Sequence, residues 1–335
     1  VPNRPLVSIL LPAFNAAATL PVCLRSIQRQ SETRWECVIV DDGSSDATLE
    51  CARSFARHDE RFTVAVTPHQ GIVAALNTGL QRCRGAFVAR MDADDLMHRE
   101  RLAVQVEALD GCGCAAMGCH VRLFPRAALA DGRVEYERWL NSIASSRRVR
   151  EEAFVECPIA HPALMIRTEV LAAFVYRDQG WPEDYDLVLR LLAAGHDLGV
   201  VPRRLICWRD TPNRLSRTHP SYALDRFIAC KAAFLAAGLL AGREEYVLWA
   251  YGETGKALRR ALLAYGKRPA YIVEVHPGRV GKTIHGAPVI APQELAALRR
   301  YPVVASVAGT VAREQIRAAM RSMGFEETKH FICAA

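Results

Sequence analysis

Short continuous apolar runs alternate with amphipathic stretches through the N-terminal part of the chain. Leu6 to Leu11 reads as a strand ended by Pro12, and a helical spacing through Leu20, Leu24 and Ile27 follows it. Cys37-Val38-Ile39-Val40 predicts the next strand, which runs into the polar turn Asp41-Asp42-Gly43-Ser44-Ser45-Asp46. Asp46 is placed there to cap a helix reaching about His58. Phe62-Thr63-Val64-Ala65-Val66 predicts a third strand, Gly71 to Cys83 a third helix, and Gly85-Ala86-Phe87-Val88-Ala89 a fourth, buried strand. Alternation of this kind implies an α/β fold with a mixed, mostly parallel sheet covered on both faces.

From about Ala115 the pattern changes to longer loops and mixed elements. His161-Pro162-Ala163-Leu164-Met165-Ile166 predicts a strand before a helix starting near Thr168. Trp181-Pro182-Glu183-Asp184-Tyr185 caps an amphipathic helix carrying Leu187, Leu191 and Leu192, and Leu198 to Trp208 predicts a strand interrupted at Pro202. A polar loop over Arg209 to Pro220 leads into a helical stretch, Tyr222 to Leu240. A second unit then begins near Gly242, with strands at Tyr246-Val247-Leu248-Trp249-Ala250, Ala270 to Val275, Val289-Ile290, Val303-Val304-Ala305 and Phe331-Ile332. Helices are expected between them, ending with Pro292 to Arg299 and Ala312 to Met323. The expected organisation is one domain over 1–220, a helical connector over 221–241 and a small Rossmann-like α/β domain over 242–335.

Composition narrows the class. At 335 residues and 50% hydrophobic, the chain can bury substantial cores, yet no apolar run is long enough to span a bilayer. Val1-Pro2-Asn3-Arg4-Pro5 lacks the apolar core of a signal peptide, so the expected location is cytoplasmic, free or peripheral at the inner face of a membrane. Many of the eleven cysteines, Cys23, Cys37, Cys157, Cys207, Cys230 and Cys333 among them, sit inside apolar stretches as core thiols do. Cys112, Cys114, Cys119 and His120 lack the separated pairs of a structural zinc site and read as buried or loop thiols. The net charge of +7 is modest, and Arg147-Arg148-Val149-Arg150 and Arg203-Arg204 read as solvated faces, with anionic lipid as the alternative. No interleaving of aromatic and basic residues points to nucleic acid, which is excluded as a partner.

The chemistry is concentrated in Arg90-Met91-Asp92-Ala93-Asp94-Asp95, three carboxylates where a buried strand leaves the sheet. Crowded carboxylates repel, and a hard divalent cation relieves the repulsion by taking their oxygens as ligands. Ligands bind at the carboxyl ends of strands in open α/β sheets, and a metal-held diphosphate is the evident guest. In an extended segment Asp92 and Asp94 face the same way; Asp95 either joins them or caps a helix starting near Met97.

Four ordered motifs extend this picture: Val7-Ser8-Ile9-Leu10-Leu11-Pro12-Ala13-Phe14-Asn15; Val38-Ile39-Val40-Asp41-Asp42-Gly43-Ser44-Ser45-Asp46; Met91-Asp92-Ala93-Asp94-Asp95; and Glu183-Asp184-Tyr185-Asp186-Leu187. Together they resemble family 2 glycosyltransferases with the GT-A fold, over roughly two thirds of the chain. The resemblance implies an inverting, metal-dependent transfer of a sugar from a nucleotide-diphosphate donor, UDP-sugar favoured, to a hydroxyl acceptor. By analogy the acceptor is a carbohydrate or a lipid-linked precursor of cell-surface polysaccharide or glycolipid. On the donor side it places Pro12, Phe14, Asn15, Asp41, Asp42, Arg90, Asp92 and Arg209. Phe14 offers a face to the base, Asp42 accepts from the base N–H, and Asp41 supports. It assigns Mn²⁺ or Mg²⁺ to Asp94, with Asp92 beside it, and makes Asp184 the catalytic base that takes the acceptor proton. Glu183, Trp181 and His161 stand on the acceptor side. Family members often carry a histidine soon after the arginine of the last loop; this chain has Asp210 there and reaches a histidine only at His219. Arg209 and Arg214 are the loop's candidates for diphosphate contact.

In the second unit, Ala250-Tyr251-Gly252-Glu253-Thr254-Gly255 is a dinucleotide-type glycine fingerprint with alanine in the first glycine position, and Glu274 ends the next strand. Gly252, Gly255 and Glu274 are thus candidates for a second nucleotide site. A structural, regulatory or homo-oligomerising role is the alternative, since the fold also serves domains that bind no dinucleotide. Two other functions stay open: an NAD(P)-dependent oxidoreductase acting through this unit, and a non-catalytic nucleotide-sugar-binding protein.

Overall fold

The computed structural model describes residues 5–212 and 214–335. Val1-Pro2-Asn3-Arg4, read above for a leader, and Asn213 of the polar loop lie outside the described residues. The apolar runs of the N-terminal part form β1 (Val7–Ala13), β2 (Trp35–Asp41), β3 (Phe62–Val66) and β4 (Phe87–Arg90). β1, β2 and β4 are buried at every position, as strands covered on both faces must be. Between them run α1 (Leu20–Gln28), α2 (Thr48–His58) and α3 (Ile72–Leu80). β5 (Leu96–Met97), α4 (Arg101–Gly111), β6 (Ala116–Phe124), α5 (Asp131–Leu140), α6 (Ser146–Glu152), β7 (Met165–Arg167), α7 (Thr168–Phe174), α8 (Glu183–Ala193) and β8 (Leu198–Arg209) follow. The eight-stranded sheet has the order β3-β2-β1-β4-β7-β6-β8-β5. β3, β2, β1 and β4 are mutually parallel, β7 is antiparallel to β4 and β6, and β6 is parallel to β8.

Three local expectations change. The helix expected near Met97 starts at Arg101, because Leu96–Met97 pairs with β8 instead. His161–Ala163 is a 3₁₀ turn and only Met165–Arg167 pairs in the sheet; Pro162 has no N–H to give a ladder. Pro202 does not interrupt β8 but is absorbed by it. Val201 opposes Cys119 and Arg204 opposes His120, so Pro202 and Arg203 are the extra residues of a bulge.

The second unit comprises α9 (Leu215–Thr218), α10 (Leu224–Ala237), β9 (Glu245–Trp249), α11 (Glu253–Leu263), β10 (Arg268–Val273), β11 (Thr283–Ile284), β12 (Ala287–Ile290), β13 (Val303–Ala305), α12 (Thr310–Ser322) and β14 (Phe331–Cys333). Its sheet has the order β11-β12-β10-β9-β13-β14, parallel except for β11.

The division of the chain is less sequential than a break near residue 220 or 242. One unit runs to Val149 and takes in Ile159–Gln179 and Glu183–Arg214; the other gathers Arg150–Pro158, Gly180–Pro182 and Leu215–Ala335. The stretch read as a connector is part of the second core: Ile228, Ala232 and Leu235 of α10 share one apolar cluster with Leu248 and Leu258. Arg150–Pro158 belongs there because Arg317, fully buried, pairs with Glu152 at 2.8 Å and Glu327 at 2.9 Å and donates to Glu151 O. Lys231 Nζ also donates to Val155 O at 2.7 Å. Among the described residues no helix is long and apolar enough to cross a membrane.

Gly85, at the entry to β4, has no room for a side chain: a Cβ would stand 2.6 Å from Ser8 N and 2.8 Å from the Val7 carbonyl carbon. Gly85→Ala should therefore destabilise the chain by about 1–3 kcal/mol. Gly132→Ala, in open space on α5, should stabilise it by about 0.5–1 kcal/mol. Urea denaturation of both variants checks the pair; equal midpoints would refute it.

Candidate active site

The carboxyl ends of β1, β2 and β4 lie side by side, and the polar motifs leave the sheet there. Ala13 is in register with Asp41, and the Asp42 amide donates to Ala13 O at 2.9 Å. Asn15 takes the left-handed conformation, φ +48°, which asparagine tolerates better than most side chains. Its Oδ1 accepts from Ser45 N at 2.9 Å, and its amide donates to Ser44 Oγ at 2.9 Å. The first two motifs are thus tied together. Asp46, expected to cap α2, stands one residue before the cap position, which Ala47 occupies without a side-chain bond, and accepts from the Thr48 amide at 3.0 Å.

Asp41 and Asp42 do different work. Asp42 is buried, and both its oxygens are engaged: Oδ1 accepts from Gln70 N and Oδ2 from Gly71 N, each at 2.9 Å, while His69 Nδ1 stands 2.8 Å from Oδ2. It organises the Thr67–Gly71 loop. Asp41 accepts from Ser44 N at 3.3 Å through Oδ2, and its buried Oδ1 has no partner among the described residues. The hydrogen bonds therefore reverse the expected emphasis, which gave Asp42 the open acceptor. The reason is the loop after β3, whose amides reach back to the nearer acid. Phe14 is 46% exposed and stacks on His69 with ring centroids 4.0 Å apart and planes 16° apart. His69 went unnoticed in the sequence, where only its place in a loop after a strand, shared with other histidines, could have pointed to it. Pro12 is buried in β1 behind this platform.

At the end of β4, ligand-capable oxygens of Asp92, Asp94 and Asp95 lie within 4.8 Å of one another. Asp92 pairs with Arg90 at 2.6 Å. Burial, and then the Asp92 charge, raise the pKa of Asp94; burial followed by the Asp92 and Asp94 charges raises that of Asp95 well above the ordinary value. Asp95 does not cap a helix. Its Oδ1 accepts from the Arg209 amide at 2.6 Å, and its buried Oδ2 has no partner among the described residues. Arg209 Nε donates to Asp94 O at 2.8 Å, its guanidinium lying 4.5 Å from the Phe124 ring centroid. Arg214 lies 4.4 Å from the Trp208 ring centroid and exerts an attractive charge on Asp94 and Asp95. Among the described residues the ligand-capable side chains gathered here are those of Asp92, Asp94 and Asp95. Asp210 faces Arg133 at 3.3 Å, and His219 Nδ1 accepts from Ser221 N. The third acid is Asp95. Three mutually repelling carboxylates, one with an orphaned buried oxygen, are a donor set that fits a hard divalent ion such as Mn²⁺ or Mg²⁺.

Beneath the cluster, Arg101 of α4 is fully buried and donates to Arg90 O at 2.9 Å, with its pKa pushed down to about 10 by burial. Arg90 is itself buried. Burial works against its charge, but Asp92, and then Tyr176 and Glu183, attract it strongly enough to raise its pKa. Its Nε and Nη1 have no partner among the described residues. His161 meets Tyr176 OH at 3.0 Å and lies 3.7 Å from Glu183 Oε1. Of the three acids in the first turn of α8, Asp186 is committed to Arg190 at 2.6 Å and Glu183 is buried beside His161. Asp184 is the partly exposed one. Trp181 groups with the second unit rather than with these residues. Gly252, Gly255 and Glu274 likewise belong to the second unit.

A mixed sheet of this order, with its polar motifs at the carboxyl ends of adjacent strands, has the architecture of the GT-A fold. Residues 8–174 match the model for Glycosyl transferase family 2, and the chain belongs to that family through this domain. The chain is 31% identical over 135 residues to glycosyltransferase AglE of Haloferax volcanii, covering 39% of this chain and 44% of that one. It is 38% identical over 108 residues to a PGL/p-HBAD biosynthesis glycosyltransferase of Mycobacterium tuberculosis, covering 32% and 42%. It thus spans less than half the length of these curated relatives. In structure it is similar to S. aureus TarS 1–349 in complex with UDP, with a TM-score of 0.52 at 16% identity over 77% of this chain and 70% of that one. It is also similar to the mannosyltransferase PcManGT from Pyrobaculum calidifontis in complex with GDP-Man and Mn²⁺, with a TM-score of 0.53 at 19% identity over 78% and 69%. At such identities the likeness is one of fold.

His161 links the site to pH. Burial, and then the Arg90 charge, hold its pKa well below the usual 6.5. The approach of Glu183 does not reverse that direction. As pH falls below about 6.5, the unfolded chain takes up the proton that folded His161 refuses, so the stability fully present above that value is progressively lost. Urea midpoints at about pH 7.5 and about pH 5 should fall less for His161→Asn than for the parent chain; an equal fall in both would refute this.

Proposed function

We propose that this chain transfers a sugar from a nucleoside-diphosphate donor to a hydroxyl acceptor in a single, inverting displacement. The observation that carries the reading is the cluster of Asp92, Asp94 and Asp95 beside the carboxyl ends of the two strands that present Phe14, Asp41 and Asp42. Phe14 and His69 provide a flat face for the base, and Asp41 and Asp42 mark its polar edge. Asp94 and Asp92, with Asp95 behind them, would hold a Mn²⁺ or Mg²⁺ ion, whose positive charge would offset that of the donor diphosphate. Arg209, and Arg214 beside it, add positive charge at the same place, suited to phosphate oxygens.

Asp184 takes the proton of the acceptor hydroxyl as that oxygen forms a bond to the anomeric carbon. The bond from that carbon to the diphosphate breaks on the opposite face, and the nucleoside diphosphate leaves with the electron pair. Glu183 and His161, both buried, hold the start of α8 in place rather than exchanging protons with substrate. The neighbours of known structure were solved with UDP and with GDP-Man; a UDP-sugar is the donor proposed here. The names of the sequence relatives support an acceptor among cell-surface polysaccharide or glycolipid precursors.

Thermal shift with UDP-, GDP- and dTDP-sugars, each with and without Mn²⁺, tests the site. The parent chain and Asp184→Asn should both be stabilised by the same donor in a metal-dependent way, and Asp94→Ala should not. Release of nucleoside diphosphate from that donor should fall about 10²–10⁴-fold in Asp184→Asn. A shift indifferent to Mn²⁺, or undiminished turnover with both residues replaced, would overturn the reading.

A further inference from the structure

In the second unit the chain moves from β9 outward through β10 to β12, then crosses back to β13 and continues outward to β14 on the other side. β9 and β13 are adjacent and parallel, and the connections that leave them diverge. Their carboxyl ends therefore form a topological switch point, where open α/β sheets leave a crevice for ligands. Both strands feed helices of more than two turns, α11 and α12, preceded by Gly252 and Gly309, and neither helix has a side-chain cap. The first-turn amides are left for another acceptor, with the partial positive charge of the helix start behind them.

Gly255 lies in the first turn of α11, and a Cβ there would overlap Ala250 O. Only glycine lets the helix start so close to the strand end, as the last glycine of a phosphate-binding fingerprint does. A Cβ on Gly252, in contrast, would meet nothing within 4 Å. The independent observation is Ser306. It follows β13, its amide donates to Trp249 O at 2.9 Å, and its Cβ lies 3.7 Å from the place a Gly255 Cβ would occupy. It is 4% exposed, and its Oγ has no partner among the described residues. A buried hydroxyl without a partner is costly, and an acceptor arriving at the start of α11 would satisfy it.

Glu274, after β10, does not stand free to hold a ribose as the sequence suggested. Its Oε1 accepts from the Tyr251 amide at 2.8 Å, bracing the glycine loop, and from Arg279 Nη1 at 3.1 Å, which brings a cation to the same edge. One half of this sheet has the β9–α11–β10 unit extended by β12, while the other half has only β13 and β14. That asymmetry is the ground for assigning one nucleotide rather than two.

We propose that the crevice at the carboxyl ends of β9 and β13 binds a nucleoside phosphate, with its phosphate over the first turn of α11 and accepting from Ser306 Oγ. This site is separate from the aspartate cluster, and the inference does not rest on the transferase reading.

Amide hydrogen exchange on the full chain tests it, in buffer containing EDTA so that divalent ions at Asp92, Asp94 and Asp95 play no part. UDP, ADP, NAD and inorganic phosphate are added in separate arms. UDP or ADP should slow exchange in peptides covering 251–256 and 306–310, inorganic phosphate should do so more weakly, and NAD should do so no better than ADP. Gly252 has an extended backbone, φ −79° and ψ −170°, so Gly252→Asp fits without strain and supplies a good helix cap. That variant should melt no lower than the parent chain, yet bind the nucleotide at least about ten-fold more weakly because its carboxylate occupies the phosphate position. Ser306→Ala should weaken binding about three- to ten-fold. No protection in any arm, protection confined to peptides of the first unit, or parental affinity in Gly252→Asp would overturn the proposal. Tighter binding of NAD than of ADP would overturn the assignment to a single nucleotide.

Discussion

Mutual repulsion among Asp92, Asp94 and Asp95, whose ligand-capable oxygens lie within 4.8 Å, has to be offset by positive charge or by protonation. Much of the first unit is arranged around that requirement. Arg90, the last residue of β4, pairs with Asp92 just beyond it, Arg209 reaches Asp94 and Asp95 through its side chain and amide, and buried Arg101 supports the strand end from below. Even with these partners Asp94 and Asp95 keep raised pKa values. Burial first, and the neighbouring carboxylates after it, raise them, a setting whose charge a hard cation would relieve.

The same economy of position governs the base end and α8. Each contains more acids than the chemistry requires, and local bonding sorts them. Asp42 is committed to the amides of the Thr67–Gly71 loop, Asp186 to Arg190, and Glu183 to a buried place beside His161. Asp41 keeps a buried oxygen without a partner among the described residues, and Asp184 is the partly exposed acid of its turn, its Oδ1 accepting from the Tyr185 amide at 2.7 Å. In the second unit a buried arginine plays the organising part. Arg317 engages Glu152 and Glu327 together, and losing one partner of such a buried set would leave an uncompensated charge.

Much of this was legible in the sequence, for stated reasons. Continuous apolar runs such as Val7–Ala13 and Trp35–Asp41 identify parallel strands, because only strands buried on both faces are apolar throughout. Acids at the ends of those runs mark the binding edge. β6 was missed because Gly118, His120 and Arg122 dilute its apolar pattern, and His69 because nothing local distinguishes it from other loop histidines. The placing of Arg150–Pro158 in the second unit was also invisible, since its partners Arg317 and Lys231 are remote in the chain.

The sequence by itself determined the alternation of strands and helices from β1 to β4, the family resemblance, and the motifs from which the candidate residues come. These depend on periodicity and short spacings, which survive in one dimension. The tertiary structure alone decided that Asp95 joins the acidic cluster instead of capping a helix, that Asp42 is occupied while Asp41 keeps an oxygen without a partner among the described residues, and that Glu274 braces a glycine loop. Those outcomes depend on which amide or guanidinium arrives from a distant part of the chain. A carboxylate's role is set by the donors that reach it first.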